Sequence, residues 1–203
     1  MKNYMNPPIP NGFIHVSGTW NKAFIIEDVK SKKRFTWIPL GFCHECEEKI
    51  AKLSRKMSPN YDLAKSMIDK YQGIYVSTYP ISKKDEPITN VRFRLAKNKA
   101  TKILSESVIP SFHTRLFYGQ EYDIVVECIA RLDNTVGTIG SEKFEEYGLY
   151  GMDDLWIWTL TKHDGFSMVL KKGDSREEQE EVYANDEWLE SPEIGFRVVL
   201  IVL

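Results

Sequence analysis

The chain has 203 residues, 42% of them hydrophobic and 28% charged, with a net charge of -2 at neutral pH. That length suits one domain with a full core, and that balance excludes a disordered chain. No strongly basic balance suggests a nucleic-acid partner, although Lys and Arg crowd the half ending near Arg115 and most Asp and Glu follow it.

The opening MKNYMNPPIP lacks an apolar run of signal-peptide length, and Val198 to Leu203 is too short to cross a bilayer. The expectation is therefore an intracellular, cytoplasmic protein without a membrane segment. Phe13 to Trp20, Ala23 to Val29 and Arg34 to Leu40 alternate or run apolar around short polar turns, which predicts three strands in a meander. Lys30, Lys32, Lys33 and Arg34 could touch phosphate, as could Arg92, Arg94, Lys97 and Lys99. Solvated turns and a solvated helix face are the preferred reading of both clusters, and nucleic acid is not expected as a partner.

Cys43 to Met57 reads as an amphipathic helix with Ile50, Leu53 and Met57 on one side, and Tyr61 to Tyr71 as a second. Cys43 and Cys46 have the spacing of a zinc or redox pair. A zinc site needs four ligands, and no second Cys or His pair follows at finger-like spacing, so plain packing is preferred. With Cys128 the three cysteines cannot all pair, which agrees with a reducing compartment. His15, His113 and His163 are scattered and match no triad pattern.

Gly73 to Tyr79 reads as a strand ended by Pro80, Ser82 to Thr89 as a polar loop, and Arg94 to Glu106 as a helix stopped before Pro110. From Gln120 to Leu132 a better-supported helix carries the core stripe Tyr122, Val125, Val126, Ile129 and Ala130. The central stretch is Tyr147 to Thr159, YGLYGMDDLWIWT, a Gly-rich turn feeding an aromatic strand. Alternation puts Trp156 and Trp158 on one face and Leu155, Ile157 and Thr159 on the other. Core packing is the preferred role of the indoles, ahead of a ligand-stacking platform. A short strand follows at Phe166 to Leu170, and the almost wholly apolar Ile194 to Leu203 predicts a strand buried on both faces.

Gly148, Leu149, Tyr150, Met152, Trp156, Trp158 and Thr159 resemble the GLYDMSGNVWEWT signature of the formylglycine-generating-enzyme, or sulfatase-modifying-factor, family. The resemblance begins near Pro10, where GFIHVSGTW, AFIIED and FTWIPLG are similar to the opening of bacterial and phage-borne members. It continues through GIYVSTY, through Arg115 to Asp123 against RLPTEAEWE, and through a worn VLRGGSW copy at 169 to 174, and it closes on IGFRVVLIVL against the GFR strand. It implies an α+β, C-type-lectin-like fold, a single formylglycine-generating-enzyme-like domain over 1–203 with small twisted antiparallel sheets, flanking helices and long loops.

The family's oxidation chemistry uses two cysteines just before the GFR strand, and none lies between Gly173 and Gly195, so the resemblance implies a degenerate member without that activity. The turn is one residue short, with Asp154 where the family has Asn and Ile157 where it has Glu. The calcium-supporting cluster that those two residues serve in the family is thereby lost unless Asp153 and Asp154 rebuild it, and no metal or other cofactor is expected.

The segment Asp174 to Glu193 is strongly acidic, with Tyr183, Trp188 and Leu189 interleaved. Aromatic anchors in a charged rim are what a protein-binding patch needs, and related mobile-element proteins display ligands near their C-terminus. The leading expectation is a non-catalytic binding protein, phage- or mobile-element-encoded, whose site includes Tyr183, Trp188, Glu187, Glu190 and Asp174 and whose partner is a protein with a basic surface. For the segment taken alone a solvated loop is the preferred reading, with the binding patch as the alternative. For the whole chain the rivals are an enzyme using carboxylates at Asp153, Asp154 and Glu121, and a retroelement-diversified display protein. The sequence does not specify an oligomeric state.

Overall fold

The computed structural model describes residues 6–42, 68, 70–83, 86–104, 111–134, 137–162, 167–174, 182–184 and 189–203. The helix expected over Cys43 to Met57, with both its cysteines, lies outside them, as does most of the helix expected over Tyr61 to Tyr71.

The meander forms as the alternation predicts. Strands β1 (Phe13–Thr19), β2 (Lys22–Asp28) and β3 (Arg34–Ile38) pair antiparallel in sequence order, and β4 (Ile74–Ser77) adds to β3. Burial rises across them, from one buried position in β1 to all four in β4, because β1 is an edge and β4 is interior. The stretch expected as a loop after Pro80 contains a small two-stranded ladder, β5 (Ser82–Lys83) with β6 (Glu86–Pro87).

Helix α1 (Phe93–Lys102) buries Phe93, Ala96 and Ala100. Strand β7 (Phe112–Leu116) then precedes α2 (Gly119–Leu132). That strand escaped sequence reading because Phe112 to Leu116, FHTRL, carries three polar residues, and it is strand through its pairing with β12 (Val198–Val202). The five predicted core positions of α2 are all buried, together with Ile124 and Cys128, so the helix is enclosed more widely than a single stripe. A short α3 (Ser141–Glu146) leads into the Gly-rich turn.

The six-stranded sheet has the order β1-β2-β3-β4-β12-β7, with every pair antiparallel. A second sheet has the order β10-β9-β8-β11, made of β8 (Trp156–Lys162), β9 (Met168–Lys171), β10 (Val182–Ala184) and β11 (Ile194–Gly195). Here β11 lies parallel to β8, so the expectation of purely antiparallel sheets is corrected: the chain comes back along a long connection and meets β8 running the same way. The architecture is α+β, with one buried cluster that draws on both sheets and on α1 and α2.

The closing apolar run is not one strand. Ile194 and Gly195 join the second sheet, Val198 to Val202 enter the first between β4 and β7, and Phe196 and Arg197 pass between them, both fully buried. The Arg197 guanidinium donates to the carbonyls of Ser77 (2.8 Å), Thr78 (3.3 Å) and Tyr150. A cation in the middle of an apolar run breaks the strand because it must reach oxygens that a continuous ladder would not offer it.

Candidate functional site

A groove built from three chain segments, 31–35, 77–81 and 145–154, encloses about 810 Å³. The first segment is the Lys-rich turn between β2 and β3. Asp28 organises it: its carboxylate accepts from Ser31 N (2.7 Å) and its carbonyl from Lys32 N (2.9 Å), while Lys32 takes a left-handed φ of +59°. Cross-strand from Arg34, Glu27 accepts from Arg34 Nε at 2.9 Å and lies 3.4 Å from Lys32 Nζ. The hydrogen bond from Arg34, ahead of the one from Lys32, holds the Glu27 carboxyl below its ordinary value against the opposing effect of burial.

The second segment continues β4. Thr78 N donates to Arg34 O (3.0 Å) and Thr78 O accepts from Tyr150 N (2.9 Å), so this residue joins the two walls. Just beyond it Tyr79 turns outward and stacks on Tyr150, with ring centroids 4.7 Å apart and planes 11° apart. Tyr79 is 52% exposed, leaving part of the ring open to a ligand.

The third segment runs from α3 through the glycine turn. At Gly148, with φ +76°, a Cβ would come within 3.0 Å of Thr36 Oγ1 and 3.2 Å of Ile25, so only glycine lets the turn sit against β2 and β3. Gly151 has φ +65°, and a Cβ there would meet Asp154 Oδ2 at 2.7 Å. Asp154 and Glu145 are exposed on this wall, and neither carboxylate has a hydrogen bond or ion pair among the described residues. Arg197 braces the floor from behind through Ser77, Thr78 and Tyr150, and burial pushes its guanidinium down to about 10, still protonated at neutral pH. The groove thus has an aromatic floor, a basic wall of Lys32, Lys33 and Arg34 in which Lys32 and Arg34 reach Glu27, and a wall whose two carboxylates have no hydrogen bond or ion pair among the described residues.

The residues singled out from sequence are placed as follows. Asp174 is half-buried and accepts from Ile139 N at 2.7 Å, which makes it a loop fastener. Glu190 is exposed and paired with Arg92 at 2.6 Å. Tyr183 lies on β10, where only the backbone is described, and Glu187 and Trp188 fall outside the described residues. Asp153 accepts from Ser141 Oγ, and Glu121 is buried with both oxygens bound by Arg115 and one of them also by Tyr118 N. With Ile157 fully buried in β8, its position offers no oxygen to a cation, and no group of three or more His, Cys, Asp or Glu side chains converges among the described residues. Trp158 is fully buried, donates to Val91 O at 2.6 Å and packs edge-on against Phe93 at 5.7 Å, a core role. Cys128 is a buried thiol facing Pro39 O at 3.4 Å. His15 and His113 are exposed on β1 and β7.

Sequence reading missed Tyr79, Glu145 and the pairing of Tyr79 with Tyr150. Each ring had a local signal, an aromatic before a strand-ending Pro and an aromatic between two glycines, but they are 71 positions apart (150 − 79) and nothing local couples them.

Comparison with protein-family models, with curated proteins and with solved structures finds no match to this chain. The fold and groove therefore define it by class: an α+β domain of two main sheets carrying an aromatic, two-signed groove. Among the described residues no helix is long and apolar enough to cross a membrane.

Proposed function

We propose that the chain is a non-catalytic binding protein on a scaffold similar to that of the formylglycine-generating-enzyme family, with a C-type-lectin-like fold, and that it engages a protein partner presenting a basic surface. The observation that carries the loss of chemistry is in the sequence: from Gly173 to Gly195, where the resembling family places its thiolate pair, there is no cysteine. The scaffold reading is supported by the GFR stretch. Its Arg197 sits where the two sheets meet and ties both to the glycine turn, so these resembling residues have a joint structural use. The binding reading is supported by two exposed carboxylates, without a hydrogen bond or ion pair among the described residues, in the same groove as an open aromatic ring, a combination suited to recognition.

The test has two arms. Supplied with copper and a cysteine-containing sulfatase peptide, the purified protein should show no thiol oxidation; turnover that depends on Cys43, Cys46 or Cys128 would overturn the reading. If the acidic 174–193 segment takes part, Trp188→Ala should weaken capture of a basic partner while the melting temperature holds. An unfolded Trp188→Ala variant would assign that ring to packing and remove the segment from the site.

A further inference from the structure

We propose that the groove over Tyr79 and Tyr150 is the docking site for an arginine side chain of the basic partner, its guanidinium stacked on the open face of Tyr79 and paired with Asp154. This rests on the partner reading above and gives it a location away from the acidic 174–193 segment.

The sign of the ligand follows from which charges are already satisfied. On one wall Lys32 and Arg34 both reach Glu27, at 3.4 and 2.9 Å. On the other wall Asp154 and Glu145 are exposed and have no partner among the described residues. An anion entering the groove would have to compete with Glu27 for the cations and pass two carboxylates. A cation would meet two carboxylates that hold no hydrogen bond or ion pair among the described residues.

The shape of the ligand follows from the floor. Tyr150 covers one face of Tyr79 in a nearly parallel stack, and Tyr79 remains 52% exposed, so the uncovered ring is a flat, electron-rich surface. Planar guanidinium stacks on such a ring better than a compact ammonium does, and it can present its edge to a carboxylate at the same time. Asp154 is placed for this, because its Oδ2 and Pro80 Cδ both lie close to where a Cβ on Gly151 would stand, at 2.7 and 3.7 Å, and it lines the same groove as Tyr79 and Tyr150. The floor is also held in advance. The carbonyls of Thr78 and Tyr150 on which the stack depends are both fixed by the buried Arg197, so little ordering is left to the binding step.

The experiment measures fluorescence anisotropy of a short labelled peptide of arginine, glycine and serine, against the same peptide with citrulline or with glutamate in place of arginine. The arginine peptide should bind most tightly, and citrulline, which keeps the plane and removes the charge, should weaken it at least about fivefold. Tyr79→Ala and Asp154→Asn should each weaken it by a similar factor, Tyr79→Phe should retain it, and Lys32→Ala should leave it unchanged or tighter. Both tested side chains are exposed, so unchanged melting temperatures are expected and serve as the check on folding. A preference for the glutamate peptide, indifference to both Tyr79→Ala and Asp154→Asn, or no binding of the arginine peptide would overturn the site. Binding that survives those two changes but is lost in Trp188→Ala would overturn this site while the partner reading stood on the acidic segment instead.

Discussion

Arg197 is the residue on which most depends, since it is fully buried, has no carboxylate among its hydrogen-bond partners and is satisfied by three main-chain oxygens. Its Nε makes no hydrogen bond among the described residues. Replacement by Met would remove the costly buried charge but leave the carbonyls of Ser77, Thr78 and Tyr150 without their donor. The second effect should win, because one deletion takes a donor from three carbonyls at once, and of these Thr78 O keeps Tyr150 N; we expect Arg197→Met to lose about 3 kcal/mol or more in urea unfolding. At the surface the stakes are smaller. Folded Glu27 holds its proton less tightly than the unfolded chain does, so on acidification the unfolded state protonates first. Its contribution is present above the ordinary glutamate value of 4.5 and lost as pH falls through the lower folded value. Glu27→Gln should therefore cost about 0.5 to 1 kcal/mol at neutral pH, and the gap from the parent protein should narrow as pH falls below the ordinary glutamate value of 4.5, measured by urea unfolding at neutral and acid pH.

Among the elements, α2 is the one whose start is most heavily fastened. Glu121 in its first turn accepts from Tyr118 N at 2.9 Å and receives Arg115 in a two-point contact, Nη1 to Oε2 at 2.7 Å and Nη2 to Oε1 at 2.5 Å. Arg115 comes from β7, so the pair locks helix to strand. Both side chains are buried, at 6% and 4% exposure, and a buried pair is costly to break from one side only. Arg115→Met alone should lose about 3 to 5 kcal/mol, since it strands the Glu121 carboxylate. The double change Arg115→Met with Glu121→Leu should recover a large part of that loss, and a double-mutant cycle by chemical denaturation reads the coupling directly. Additive losses would mean that the two residues are held by separate neighbours.

For the whole molecule the decisive feature is the final strand. β12 enters between β4 and β7, so a segment far along the chain completes the interior of a sheet begun by the first strands. Its four buried residues, Val198 to Ile201, link the N-terminal meander to β7, and without them both neighbours would present open edges. Deleting 198–203 should abolish cooperative thermal unfolding, followed by circular dichroism. A truncated chain that still melts in one sharp step would show that the N-terminal meander folds without its central neighbour.

The amino-acid sequence by itself determined the meander, the buried stripe of α2, the aromatic strand and the glycine turn, because each rests on periodicity or a backbone conformation that neighbours in the chain decide. Even there its reach was local. Ile194 to Leu203 reads as one buried strand, and hydropathy reports burial without saying in which sheet; the split at Phe196 and Arg197 comes from carbonyls of Ser77, Thr78 and Tyr150, 120, 119 and 47 positions away. FHTRL has no strand signature and becomes β7 because β12 pairs with it. Asp174 and Glu121 read as candidate binding or catalytic carboxylates, yet packing turns one into a fastener for Ile139 and the other into a helix anchor. The groove belongs wholly to this second kind of information. Tyr79 meets Tyr150, and Glu27 engages Arg34 and Lys32 across the groove from Asp154, only because three separate segments close on one another, and charge balance among distant groups is a property of the folded molecule.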